Sequence, residues 1–226
     1  MTPAQIVLPL ALVVLAATGA ASTPEPPAER GAAVYAAHCA SCHGADLKGV
    51  TGTHAPDLTD DYWLFGGDDL DSFKVHPADV QAVVRHGLRT GRDGARTASD
   101  MPGWAAIVAK SEGLAPGDAD DLTEYVLHIS GQPSDETAAL RGKRLFNGKG
   151  TCFDCHASDA KGDSSIGAPD LTRPAVWIYG RDRAAIRASI VEGRAAAMPA
   201  FAEVLSEEDI AAVSLYVHGK AAGHDF

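Results

Sequence analysis

All four cysteines of this 226-residue chain fall in two Cys-x-x-Cys-His pentads, Cys39–Cys42–His43 and Cys152–Cys155–His156. Three chemistries use such a cysteine pair. Structural zinc takes four protein ligands, so two distant pentads would have to share one ion. A thiol–disulfide redox pair belongs at a strand–helix junction. Covalent haem attachment uses both thiols as thioether donors and carries the adjacent histidine beneath the iron. No cysteine is left over for a structural disulfide, unlike a disulfide-stapled secreted domain.

The repeat around the pentads decides between these readings. "APDLT" at 55–59 recurs at 168–172, at the same offset of 113 residues that separates Cys39 from Cys152. "WLFG" at 63–66 returns as "WIYG" at 177–180, and "RGAAVY" at 30–35 parallels "RGKRLF" at 141–146. "MPGW" at 101–104 parallels "MPAF" at 198–201. The chain is a duplication with landmarks in one order. Beyond the initiator, its only methionines are Met101 and Met198, each in a Met-Pro downstream of a pentad. Methionine is ordinarily core filler, but filler has no reason to recur once per copy. In chain order the pairing predicted is His43 with Met101 for the first haem iron and His156 with Met198 for the second. A thioether opposite an imidazole favours ferrous iron and raises the potential. With both axial positions filled the centre suits electron transfer and leaves no place for a substrate.

Several elements must position these residues. Residues 28–38 and 137–147 read as helices leading into the pentads. Residues 77–86 and 182–192 read as amphipathic helices ending at Gly87 and Gly193. "APGDADDLTEYVLHI" and "LSEEDIAAVSLYVHG" read as later helices, the second capped by Ser206 with Asp209. Nothing alternates as strand. The fold class predicted is all-α, with domains at 26–129 and 137–226 joined by a linker at 130–136. Gly31 and Gly142 leave room for each entry helix to cross a later one near Tyr125 or Tyr216. The Pro-Asp-Leu loops should run beside the histidines and offer a backbone carbonyl to the Nδ1 proton. Trp63 and Trp177 can reach a haem propionate through the indole N–H. The first copy's "LRTGRDGARTASD" reads as a surface loop. The other histidines, His86 included, do not recur between the copies.

Composition sets further bounds. A net charge of −11 excludes the basic stripe that nucleic acid requires. Aromatic content of 6% is low for two small cores, and a buried cofactor would supply the missing apolar volume. The uncharged apolar stretch Ile6 to Ala21 would span roughly 24 Å as a helix. It reads as a cleaved signal peptide or a short membrane anchor within residues 1–24, and either implies export to the periplasm.

With helix, pentad, Pro-x-Leu, Met-Pro and helix in order, the chain resembles class I cytochrome c twice over. More narrowly, "APDLTDDYWLFGGD", "VVRHGLRTGRDGARTASDMPGW", "GAPDLTRPAVWIYG" and "IVEGRAAAMPAF" resemble the dihaem subunit III of cbb3-type cytochrome c oxidases, over about residues 28–220. That resemblance implies two tandem cytochrome c domains and two covalently bound c-type haems. It implies Cys39, Cys42, Cys152 and Cys155 as thioether donors, with His43, Met101, His156 and Met198 at the irons. It also implies a donor such as a soluble cytochrome or the bc1 complex, and an oxidase core as acceptor. A freestanding periplasmic dihaem shuttle is the alternative, and a dihaem peroxidase or dehydrogenase a more distant one.

Overall fold

The structure is a computed structural model, and residues 26–65, 75–91, 93 and 100–223 are described. The apolar N-terminus, the end of the Trp-Leu-Phe-Gly-Gly-Asp stretch and most of the Gly- and Arg-rich loop lie outside these residues. Among the described residues no helix is long and apolar enough to cross a membrane.

Among the described residues nine α-helices run in chain order: α1 (Pro27–His38), α2 (Ala40–His43), α3 (Pro77–His86), α4 (Trp104–Val108), α5 (Asp118–Ile129), α6 (Glu136–Phe146), α7 (Phe153–His156), α8 (Arg183–Glu192) and α9 (Glu207–Ala221). A 3₁₀ turn covers Pro174–Val176. The described residues pair as β-structure only in isolated bridges, so the all-α expectation holds. The Ser206 hydroxyl accepts the Asp209 N–H at 3.1 Å, capping α9 as the sequence suggests. The one-turn helices α2 and α7, inside the pentads, have no periodic signal in sequence because four residues carry none.

Helix packing crosses the repeat. The entry helix α1 packs on α9, the last of the described helices, and α5 packs on α6. Likewise α3 packs on α9, and α5 on α8. Sequence repeats and packing units are therefore different segments. One unit holds α1, α2 and α3 together with α9; the other holds α4 to α8. The chain leaves the first unit after Leu88, enters the second at Met101, and returns between Arg194 and Met198. Residues 101–194 thus form one unit inserted between the two halves of the other.

Two close approaches define the crossings. A Cβ on Gly31 would lie 2.3 Å from the Ala212 carbonyl oxygen and 2.8 Å from the Tyr216 Cβ. A Cβ on Gly142 would lie 2.0 Å from the Asp121 carbonyl oxygen and 2.8 Å from the Tyr125 Cβ. Only glycine permits that separation, so the expected crossings exist with their partners settled. Tyr35 meets Tyr216 with ring centroids 5.5 Å apart, and Tyr125 meets Phe146 edge-on at 5.2 Å. Ion pairs flank both crossings: Arg30 with Asp209 at 2.7 Å, and Arg141 with Asp121 at 2.6 Å.

Candidate haem sites

Each pentad is a helical turn, which brings its two thiols and its histidine toward one side within four residues. The loop after each pentad then folds over that turn with the same hydrogen bonds. The His43 carbonyl accepts the Gly49 N–H at 2.8 Å, and the His156 carbonyl accepts the Gly162 N–H at 2.9 Å. The Leu58 N–H donates to Leu47, and the Leu171 N–H to Ala160, at 2.7 and 2.8 Å. Asp57 and Asp170 each accept the backbone N–H and hydroxyl of the threonine two residues on. These turns hold Pro56 and Pro169 beside the histidines.

The result differs between copies. His156 is buried and its Nδ1 lies 3.1 Å from the Pro169 carbonyl oxygen. A carbonyl only accepts, so the proton sits on Nδ1 and Nε2 keeps its lone pair for a metal. Burial holds His156 below the ordinary histidine pKa, which also favours the neutral ligand form. Burial lowers the His43 pKa too, with the Pro56 carbonyl opposing it. Yet His43 Nδ1 is buried without a partner in hydrogen-bond geometry. The expected carbonyl thus faces the imidazole in both copies, and closes to hydrogen-bond geometry only in the second.

Methionine placement departs from the chain-order expectation. Met198 packs with Cys39, Leu58 and Trp63 against the core built by Tyr35, Leu47, Val84 and Ile210. Met101 packs with Cys152 and Trp177 against the core built by Leu122, Phe146, Leu171 and Ile186. So the pairs brought together are the first pentad with Met198 and the second with Met101. The cause is the exchange of helices, because each methionine travels with the helix that follows it. Backbone pairing fixes both segments. Met198 exchanges hydrogen bonds with Leu88 at 2.9 and 3.2 Å, and Met101 with Arg194 at 2.9 and 3.0 Å. Gly193, at φ 76°, lets the Met101 carbonyl pass where a Cβ would sit 2.3 Å from it.

The residues present fit a c-type haem in each unit. Every cysteine is free, and burial raises Cys39 to about 11 and Cys152 to about 12. A reactive redox thiol needs the opposite shift. Among the described residues no three or more His, Cys, Asp and Glu gather as a metal cluster, which leaves zinc without a ligand set. The Trp177 indole N–H is buried with no acceptor among the described residues. A haem propionate beside it would satisfy that donor, as the sequence suggested for this tryptophan.

The helices, pentads and methionines define two cytochrome c units, and the chain is a c-type cytochrome carrying two covalently bound haems. Residues 28–130 match the family model "Cytochrome c", and residues 137–217 match "Cytochrome C oxidase, cbb3-type, subunit III". Within that class the chain resembles subunit III of the cbb3-type oxidases. It is 37% identical over 194 residues to the "Cbb3-type cytochrome c oxidase subunit CcoP" of Cereibacter sphaeroides, covering 85% of this chain and 61% of the relative. The protein of the same description from Rhodobacter capsulatus is 38% identical over 85% of this chain and 62% of its own length. "Cbb3-type cytochrome c oxidase subunit FixPc" of Rhizobium leguminosarum bv. viciae is 35% identical, over 85% and 61%. The chain spans about three-fifths of the length of these curated relatives.

Proposed function

We propose that this protein relays electrons from a periplasmic donor, a cytochrome c or a bc1 complex, toward a cbb3-type terminal oxidase. The observation that carries the reading is that each pentad shares its core with one Met-Pro methionine. Cys39 and Cys42 would hold one haem by thioethers, with His43 and Met198 on its iron. Cys152 and Cys155 would hold the other, with His156 and Met101. Bound there, the two irons supply one-electron oxidation and reduction.

The chain's residues prepare that chemistry without offering a substrate position. Nδ1 protonation presents His156 through Nε2. The paired backbone at Leu88 and Arg194 carries Met198 and Met101 on tethers that cannot drift far. The apolar cores around Leu47 and Leu171 back both sites and would limit the reorganisation that accompanies a change of iron charge. The net charge of −11 suits a donor with a positive patch. The protein contributes to an oxidase as its electron-transfer component, and needs no catalytic site of its own.

The test is purification from membranes of the native cells, followed by stopped-flow mixing with reduced cytochrome c. The expected outcome is retention with a haem–copper oxidase and low-spin spectra for both haems. Each should show the methionine–iron charge-transfer band. A high-spin ferric haem in the resting protein would return an enzymatic reading. Release as a free dihaem protein would make it a soluble shuttle.

A further inference from the structure

Both units meet where their Pro-Asp-Leu loops face each other. Tyr62, from the first copy, is buried, and its phenol oxygen accepts the Asp170 N–H at 3.0 Å. Asp170 is buried as well. That N–H belongs to the same peptide group as the Pro169 carbonyl, the group that faces His156 Nδ1 at 3.1 Å. One peptide is therefore gripped at both ends: by a histidine of its own unit and by a tyrosine of the other.

We propose that Tyr62 is a positioning residue for the opposite unit's iron ligand, fixing and polarising the Pro169–Asp170 peptide so that it draws harder on the His156 Nδ1 proton and lowers the potential of the second centre. The chain of cause is short. A peptide whose N–H is already donated carries more negative charge on its oxygen, because hydrogen bonds in series strengthen one another. A stronger acceptor gives His156 more imidazolate character, a more basic ligand. A more basic ligand favours the ferric state.

The two copies supply an internal comparison. In the second copy the residue before the tryptophan is Val176, where the first has Tyr62. Valine has no oxygen to offer the Pro56–Asp57 peptide, and His43 Nδ1 lacks a partner in bonding geometry. The phenol is also held in place. Arg173 of the second unit lies over the Tyr62 ring, 5.5 Å from its centroid, and pairs with Asp61 at 3.0 Å. Nearby, His54 stacks on Tyr179 at 4.3 Å, which fastens the same junction. Burial pushes Tyr62 up to about 12, so the oxygen is a neutral phenol throughout the physiological range.

The inference depends on His156 being an iron ligand, and its test separates the two. Full-length Tyr62→Phe is prepared with both haems, and its haem count and low-spin spectrum are recorded first. A Cys152 haem in the unmutated protein without the hyperfine-shifted resonances of a coordinated imidazole would overturn the His156 ligation on which the proposal rests, a failure distinct from an unmoved potential in Tyr62→Phe. The potentials are then measured haem by haem, through the hyperfine-shifted methyl resonances during a redox titration. The expected result is a higher potential for the Cys152 haem with a smaller change at the Cys39 haem. Equal shifts at both, or none at the Cys152 haem, would overturn the proposal. Arg173→Gln loosens the junction but keeps the phenol, so it should move the second potential less than Tyr62→Phe does. If Tyr62→Phe does not fold, amide exchange in the unmutated protein decides. Strong protection at Asp170 is required, and rapid exchange there would count against the role of Tyr62.

Discussion

His43 and His156 occupy the same place in two copies of one sequence, yet only His156 has its Nδ1 engaged in bonding geometry. Single residues beside a metal thus differ even where the motif does not. The methionines make the point testable. Met198→His puts a stronger σ-donor opposite one histidine and should lower that iron's potential by on the order of 0.1 V, a fraction of the ~0.8 V that axial ligands command. The structure assigns the change to the haem on Cys39 and Cys42, whereas chain order assigns it to the haem on Cys152 and Cys155. A redox titration of the variant with the two haems resolved by NMR checks which one moves. The candidate ligands were legible in the sequence, because Met-Pro recurs once per copy. Their partnership was not, because Met-Pro reads the same in either pocket.

Helix pairing explains why. The crossing motif consists of a glycine, an aromatic four residues later and a tyrosine on the facing helix. Gly31 with Tyr35 and Gly142 with Phe146 both satisfy it against either Tyr125 or Tyr216. Charges break the tie. On α8, Arg183 pairs with Glu124 and Arg187 pairs with Asp120 of α5, the latter at 2.6 Å. The corresponding positions of α3 hold Pro77 and Gln81, and those of α9 hold Ala211 and Leu215. Conversely, Arg85 of α3 pairs with Glu207 of α9 at 2.5 Å, where α8 offers Val191 and the segment leading into α5 offers Pro116. This orthogonal set was present in the sequence and is the signal that specifies which helices meet. A linker of six residues between α5 and α6 points the same way, since consecutive helices tend to be neighbours. Reversing both α8 arginines, Arg183→Glu with Arg187→Glu, should destabilise the second unit by about 1–2 kcal/mol, given ~0.2–1 kcal/mol for each partly exposed pair plus the new repulsion. Thermal unfolding should show the loss, and adding Asp120→Lys with Glu124→Lys should recover most of it.

As a whole molecule the protein is one cytochrome c unit inserted into another. Residues 101–194 carry Met101, Cys152, Cys155, His156 and the helices that enclose them, all in one contiguous segment. That segment, matured alone, should form a low-spin haem protein with a methionine–iron band. The fragment 26–129 has the first pentad without α9, and should mature to a high-spin or poorly folded product. Optical and EPR spectra of the two fragments check the contrast. An outcome in which 26–129 is low-spin with Met101 bound would restore the chain-order pairing. The family matches follow the linear repeat, 28–130 and 137–217, because duplicated sequence records ancestry and not the contacts finally made.

Biosynthesis runs from the N-terminus, so the insertion also sets a schedule. The first pentad is made early, but the helix that closes over it, α9, is made only after the whole inserted unit. The first unit therefore closes across the inserted one, unlike a contiguous domain that closes behind its own synthesis. The second pentad waits only for α8. The order in which the two units reach their final form is therefore the reverse of the order in which their cysteines are made, and any damage to α9 falls on the centre that was begun first.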